Sequence, residues 1–245
     1  MQKRLPELVE LERLLNFGQL DSVSYRKLDI LQYKEIAVPV YAIDIGRAVK
    51  GKPHLPWYRG KVGLFARENQ LLEKGLERIT QVSPFTIAID CHSGLGLVDR
   101  IWFPYAYRRG PMKDVAQMVA LKLLWESSYP NHRYIFEPQS NHYCTNSDLW
   151  DYFYKKYGRG RNRLLPLTLE MGSWSWVKKR PLQLFQFEGM FNPMVPHRLQ
   201  RTLRRHLPLM DFLCHATQSY QNRYPDEREQ SSLKQMAHSL WHQRD

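Results

Sequence analysis

The chain has 245 residues, 43% of them hydrophobic, which is enough to bury a core and excludes a disordered chain. No run reaches the roughly eighteen uncharged apolar residues of a membrane span, and Glu7, Glu10 and Glu12 interrupt any signal-like stretch. The net charge of +12 leaves attraction to a polyanion open. Three distant cysteines exclude a disulfide framework. We therefore expect a soluble cytoplasmic protein.

The first half of the chain carries two helical and two strand patterns. The patterns predict a helix over 6–17, a strand over 36–46 ("IAVPVYAIDIG"), a helix over 68–79 and a strand over 85–91. The last two form a helix-then-strand unit, with leucines at helical spacing leading directly into an apolar run.

The second half continues the alternation. Helices are predicted over 115–125 and 148–157, strands over 134–136 and 164–169, and a strand or loop over 183–187. Two helices, 196–220 and 226–243, are predicted to close the chain. Helices that alternate with apolar strands indicate a three-layer α/β fold, and we predict one domain over residues 1–245.

The stretch "FTIAIDCHSGLG" places a histidine at the end of a strand. His92 is a candidate metal ligand or base, or a histidine satisfied at a strand-to-loop junction. Asp90 lies two positions earlier and so on the same side of the strand. It either orients the imidazole or caps the turn. We expect Cys91 to be buried and to face away from them.

A second apolar run in "LLPLTLEMGSW" ends on Glu170, two residues before a glycine. Because functional sites in open α/β sheets form at the carboxyl ends of strands, Glu170 and His92 are predicted to lie close together. A carboxylate beside an imidazole suits metal-activated hydrolysis, with the carboxylate taking a proton from bound water. The alternative is that Glu170 caps a turn or pairs with an arginine.

This combination resembles the zinc carboxypeptidase family. The matching residues are His92-Ser93 and Glu170, set in "IDCHSGLGLVDRIWFPYAY", "YIFEPQS" and "DLWDY", and the resemblance to a bacterial branch covers most of 30–190. It implies a mixed, mostly parallel sheet between helices, zinc bound through His92, and Glu170 as catalytic base. The implied substrate is a peptide or acylated amino acid with a free carboxylate. "DCHSG" would also suit the aspartoacylase-type deacylases.

The chain departs from that family where the first two zinc ligands belong. The family's His-x-x-Glu pair is absent, and only eight residues separate Gly46 from "LPWYRG". A parallel crossover needs roughly ten to twelve residues. We therefore predict a shortened fold, weak zinc binding and an unpaired sheet edge that promotes homo-oligomers. The chain is then a deletion form, a degenerate binding protein, or one whose missing ligands come from another chain.

Arginines supply two further candidate roles. Arg100, together with Ser93, is a candidate contact for the substrate carboxylate, although surface charge is the favoured interpretation of Arg100. Further along, the arginines at 198, 201, 204 and 205 alternate with leucines at 199, 203 and 207, which predicts an amphipathic helix with its basic face in water. A basic module that binds a polyanion is the alternative function, although we do not expect nucleic acid to be its partner.

Overall fold

A computed structural model describes residues 67–93, 96–145, 148–158, 163–189, 191–223 and 225–242. They form a mixed α/β fold around an open, mostly parallel four-stranded sheet. The α/β class expected from the sequence is thereby confirmed. The helix predicted over 6–17, the strand predicted over 36–46 and the inferred gap after Gly46 lie outside the described residues.

The helices and strands follow the alternation predicted from the sequence. In chain order they are α1 (Arg67–Val82), β1 (Phe85–Ser93), β2 (Arg100–Phe103), α2 (Val115–Ser128), β3 (Ile135–Pro138), α3 (Leu149–Tyr157), β4 (Arg163–Met171), α4 (Trp174–Val177), α5 (Pro196–Gln218), α6 (Tyr220–Arg223) and α7 (Glu227–Trp241). Within the described ranges, no helix is both long and apolar enough to cross a membrane.

The chain divides into two compact units. One includes α1 and α3, and the other includes the rest of the fold from Phe85 to Cys144 and from Leu164 onwards. In the first unit, Glu73 on α1 accepts hydrogen bonds from Tyr152 and Lys156 on α3. Helix α3 begins where the Asp148 carboxylate accepts two backbone N–H groups, an N-cap that satisfies donors the helix cannot pair.

The order of the strands in the sheet is β1-β4-β2-β3. Strand β2 runs parallel to β3 and antiparallel to β4, with Arg100 opposite Glu170 and Trp102 opposite Glu137. Since residues two apart on a strand share a face, all four side chains lie on one face of the sheet. That face therefore carries charged groups from three neighbouring strands.

The other face of the sheet is apolar and is covered by α2, α5 and α7. Phe103 on β2 packs edge-on against Trp241 of α7, whose indole N–H donates to the Phe136 carbonyl on β3 at 2.7 Å. Trp125 of α2 is fully buried and packs against Phe212 of α5. These aromatic contacts form the core and hold the sheet rigid behind its polar face.

The structure corrects the prediction for residues 183–187 and adds one strand that the sequence did not predict. Residues 183–187 form neither a strand nor an open loop: they lie in short 3-10 helices, Pro181–Phe185 and Phe187–Gly189, closed by a hydrogen bond from Gln183 to the Gly189 carbonyl. Strand β2 was not predicted, because its four residues are too few to show a period and Pro104 follows at once.

Helix α5 buries a different face from the one its leucine spacing suggests. Its arginine-rich half is exposed as predicted, but Leu199, Leu203 and Leu207 are also 46%, 58% and 56% exposed. The buried face begins only at His206 and continues through Leu209, as the helix passes over the core. The first half of α5 is thus largely in solvent on every side.

Candidate active site

Strands β1 and β4 bring Asp90, His92 and Glu170 into one cluster. His92 Nε2 lies 2.8 Å from Asp90 Oδ2, and His92 Nδ1 lies 3.5 Å from Glu170 Oε1. The two strands are neighbours in the sheet, and each ends shortly after the residue in question. The side chains predicted to meet at this edge therefore do so, and Asp90 is positioned to orient the imidazole.

The three side chains of this cluster differ in exposure. The Glu170 side chain is only 4% exposed, whereas those of His92 and Asp90 are 31% and 34% exposed. Glu170 Oε2 is buried and has no hydrogen-bond partner among the described residues. A buried carboxylate oxygen without a partner costs stability unless a water molecule or another donor reaches it.

His92 is positively charged at neutral pH. Burial disfavours the imidazolium, but hydrogen bonds to Asp90 and Glu170 and the charges of both carboxylates outweigh that cost, so the pKa of His92 rises to about 10. In this form Nε2–H donates to Asp90 at 2.8 Å, and Nδ1–H lies in ionic contact with Glu170 at 3.5 Å. The cluster is an imidazolium held between two carboxylates, with a proton available on the side that faces Glu170.

The described residues do not by themselves form a zinc site. Among them, no group of three or more His, Cys, Asp or Glu side chains could hold a metal ion. A catalytic zinc takes three protein ligands, and an imidazole must lose its extra proton before it binds a metal. The expected role of His92 as a zinc ligand stays a prediction that requires ligands from elsewhere.

Arg100 already has a carboxylate partner inside the protein. Its guanidinium lies 2.5 Å from Glu137 Oε1, and the same oxygen accepts the Trp102 indole N–H at 3.1 Å. A substrate carboxylate would therefore compete with Glu137 for Arg100. Ser93 is half-buried at the end of β1. Their predicted roles in substrate binding stay predictions.

Sequence reasoning missed two acidic residues that shape this region. Glu137 stands between Phe136 and Pro138 in a strand, an acidic residue within an otherwise apolar run, and that was the available signal. Asp99 is buried and accepts the Gly172 N–H at 2.9 Å, two residues after Glu170. It also pairs with Arg205 of α5. Asp99 thereby fixes the turn that follows Glu170.

Gly172 and Cys91 are two further residues near the cluster. A Cβ on Gly172 would lie 2.9 Å from the Val98 carbonyl carbon, so only glycine permits the close approach of these two segments. Cys91, expected to be buried, is exposed. It lies on β1, which is one of the two edge strands of the described sheet.

Comparison with known proteins assigns no family to the chain. No protein-family model matches it, and no curated protein matches its sequence. The proposed function therefore depends on the geometry of the Asp90, His92 and Glu170 cluster and on the resemblance seen in the sequence.

Proposed function

We propose that this protein is a carboxypeptidase-like hydrolase that cleaves a peptide or other amide bearing a free carboxylate, with Glu170 as the general base. The observation that supports this is the buried Glu170 carboxylate, which has one oxygen near the His92 ring and the other without a partner among the described residues. A base and a proton donor side by side are what amide hydrolysis requires.

The chemistry can be written with these side chains alone. Glu170 Oε2 takes a proton from a water molecule as the water oxygen bonds to the amide carbon. His92 gives a proton to the amide nitrogen, and the C–N bond breaks to release an acid and an amine. The proton held by Glu170 then passes to His92 across their 3.5 Å contact, which restores both groups. Asp90 holds the imidazole in place throughout.

Access to the site is from the side of His92. About a third of the His92 and Asp90 side chains is exposed, while Glu170 lies beneath them. A substrate that enters from this side therefore meets the proton donor first. Because the base is shielded from bulk water, its interaction with a bound water molecule is stronger than it would be at the surface.

Zinc is the cofactor that the sequence resemblance implies. A complete zinc site at His92 would need ligands from outside the described ranges or from another chain, since the described residues supply fewer than three. The proton transfers above involve only Glu170, His92 and water. Zinc binding at His92 would require the ring to lose the proton that it donates here, so it is an alternative to this mechanism and has its own measurement.

The test combines an activity assay with metal analysis. The purified protein is incubated with equimolar zinc, freed of excess metal, and assayed on an N-acylated dipeptide. We expect turnover that falls by about 100-fold or more in His92→Ala and persists in His197→Ala, an exposed histidine outside the cluster. No turnover with or without zinc would contradict the hydrolase proposal. Zinc at one ion per chain that is lost in His92→Ala would show that the remaining ligands lie outside the described residues.

The same assay separates the alternatives left by the sequence. An aspartoacylase-type deacylase would favour an N-acylated amino acid over the acylated dipeptide. A degenerate family member would turn over neither substrate. A polyanion-binding module would also lack activity and would show an affinity that falls steeply with salt.

A further inference from the structure

A second polar feature, which we call the arginine pocket, lies where the first half of α5 meets the segment after α2. Its lining residues are Asn131, His132, Arg201, Arg204 and Arg205. The concavity has a volume of about 420 Å³, within the range of roughly 300–1,000 Å³ typical of small-molecule sites. All five residues belong to the unit that contains the sheet.

The arginine pocket has positive charge in excess. None of its five lining residues is acidic. Arg201 and Arg204 are exposed, and the hydrogen bond found for Arg204 goes from Nε to the backbone carbonyl of Gln200 at 3.4 Å. Arg205 binds Asp99 through Nε and its side chain is 45% exposed, which leaves its terminal nitrogens as further donors. Three guanidinium groups thus meet at one concave surface.

This charge pattern is unfavourable for α5 itself. The helix has no acidic residue in its first turn, and its sequence contains a single acid, Asp211, against four arginines. Like charges three or four residues apart on a helix, such as Arg201 with Arg204 and Arg205, repel one another. A bound anion would offset this repulsion, whereas none of the five lining side chains does so.

We propose that the arginine pocket binds a small dianionic oxyanion, the phosphate group of a small molecule. Guanidinium groups present parallel N–H donors that match pairs of phosphate oxygens. The Asn131 amide and the His132 ring add polar groups to the lining. A nucleic-acid backbone instead needs basic contacts along an extended groove with interleaved aromatic side chains, and a single pocket of this size does not supply them.

Arg205 has a structural role in addition to its place in the pocket. It pairs with buried Asp99, which accepts the Gly172 N–H just beyond Glu170. Removing Arg205 would therefore leave a buried carboxylate without its cation and disturb the turn near Glu170. Among the described residues, Arg201 and Arg204 form no ion pair with a buried carboxylate, so replacing them does not carry this cost. The proposal does not depend on hydrolase activity, because it concerns binding alone.

Isothermal titration calorimetry at constant ionic strength tests the proposal directly. The full chain is titrated with inorganic phosphate, pyrophosphate and citrate, alongside the double variant R201A/R204A and the control Arg228→Ala. Arg228 is an exposed arginine on α7 outside the pocket. We expect saturable one-site binding of a phosphate species, weakened by about tenfold or more in R201A/R204A because two charge-assisted contacts are lost, and unchanged in Arg228→Ala.

Several results would overturn the proposal. They are the absence of saturable phosphate or pyrophosphate binding, equal weakening in Arg228→Ala, and tighter binding of citrate than of either phosphate species. If single-stranded RNA bound more tightly than pyrophosphate and with a steep salt dependence, the arginines would belong to an extended polyanion-binding surface rather than to a phosphate pocket. Circular dichroism checks that R201A/R204A is folded, and Arg201→Ala alone serves as the test if the double variant is not.

Discussion

Two ionic clusters lie on the polar side of the sheet, and they differ in how completely their groups are paired. Around Arg100, one guanidinium meets one carboxylate, and Glu137 also accepts the Trp102 indole N–H. Around His92, one imidazolium meets two carboxylates, and Glu170 Oε2 has no partner among the described residues. The first cluster is balanced in charge, whereas the second carries excess negative charge and an unused buried acceptor.

This difference in pairing separates a cluster with a structural role, around Arg100, from one with a proposed chemical role, around His92. The Arg100 and Glu137 pair ties β2 to β3, with side chains 24% and 17% exposed, and each charge has its partner. An unused buried acceptor costs stability without contributing to the fold, and such costs are typical of functional sites. The comparison therefore supports the catalytic role proposed for Glu170 and a structural role for Glu137, although both carboxylates lie on the same face of the sheet.

The largest expected effect is on activity and distinguishes these two glutamates. Glu170→Gln should lower kcat/KM on the N-acylated dipeptide by about 1,000-fold, because an amide cannot take the proton from water. Glu137→Gln should lower it by less than about tenfold, since Gln still accepts the Trp102 N–H. Steady-state kinetics on both variants is the measurement. Equal losses in the two variants would remove the distinction.

The second expected effect is on stability and concerns Glu137 rather than Glu170. Glu137→Ala should lower the free energy of unfolding by about 2 kcal/mol, because Arg100 and the Trp102 indole lose their shared acceptor in a half-buried position. The double variant R100M/E137M should recover part of that loss, since no charge is left unpaired. Urea denaturation measures both. A double variant no more stable than Glu137→Ala would contradict a coupled pair.

The sequence predicts the parts of the two clusters that have a local signal and misses those that depend on pairing between distant residues. His92 and Glu170 could be located because each follows an apolar run and precedes a glycine, which marks the end of a strand. The partner of Arg100 could not be identified, since Glu137 is 37 residues away and the pairing depends on the strand order. The leucines of α5 at spacing four indicate a helix but not which face is buried, because the first half of α5 lies largely in solvent.

A third measurement concerns the His92 cluster alone. NMR titration of the wild-type ring should give a pKa near 10, and Asp90→Asn should lower it because one carboxylate is lost. Because the pKa of His92 is higher in the folded chain than in the unfolded chain, protonation of His92 stabilises the fold. This contribution is complete below about pH 6.5 and is lost as the pH rises towards 10. A wild-type ring that titrates near its ordinary value would show that the two carboxylates do not hold the proton.

The smallest effect comes from a histidine outside both clusters and has the opposite sign. His206 is 6% exposed, and its Nδ1 lies 2.7 Å from the Tyr134 hydroxyl. Burial lowers the pKa of His206, and the attraction of Asp99 only partly opposes this. The unfolded chain therefore binds a proton more readily, so stability falls as pH drops below about 6.5, by at most about 1.4 kcal/mol per pH unit.

Urea denaturation at pH 5.5 and 7.5 should show a smaller difference between the two pH values for His206→Gln than for wild type, with His197→Ala behaving as wild type. An unchanged difference in His206→Gln would show that His206 is not the group responsible.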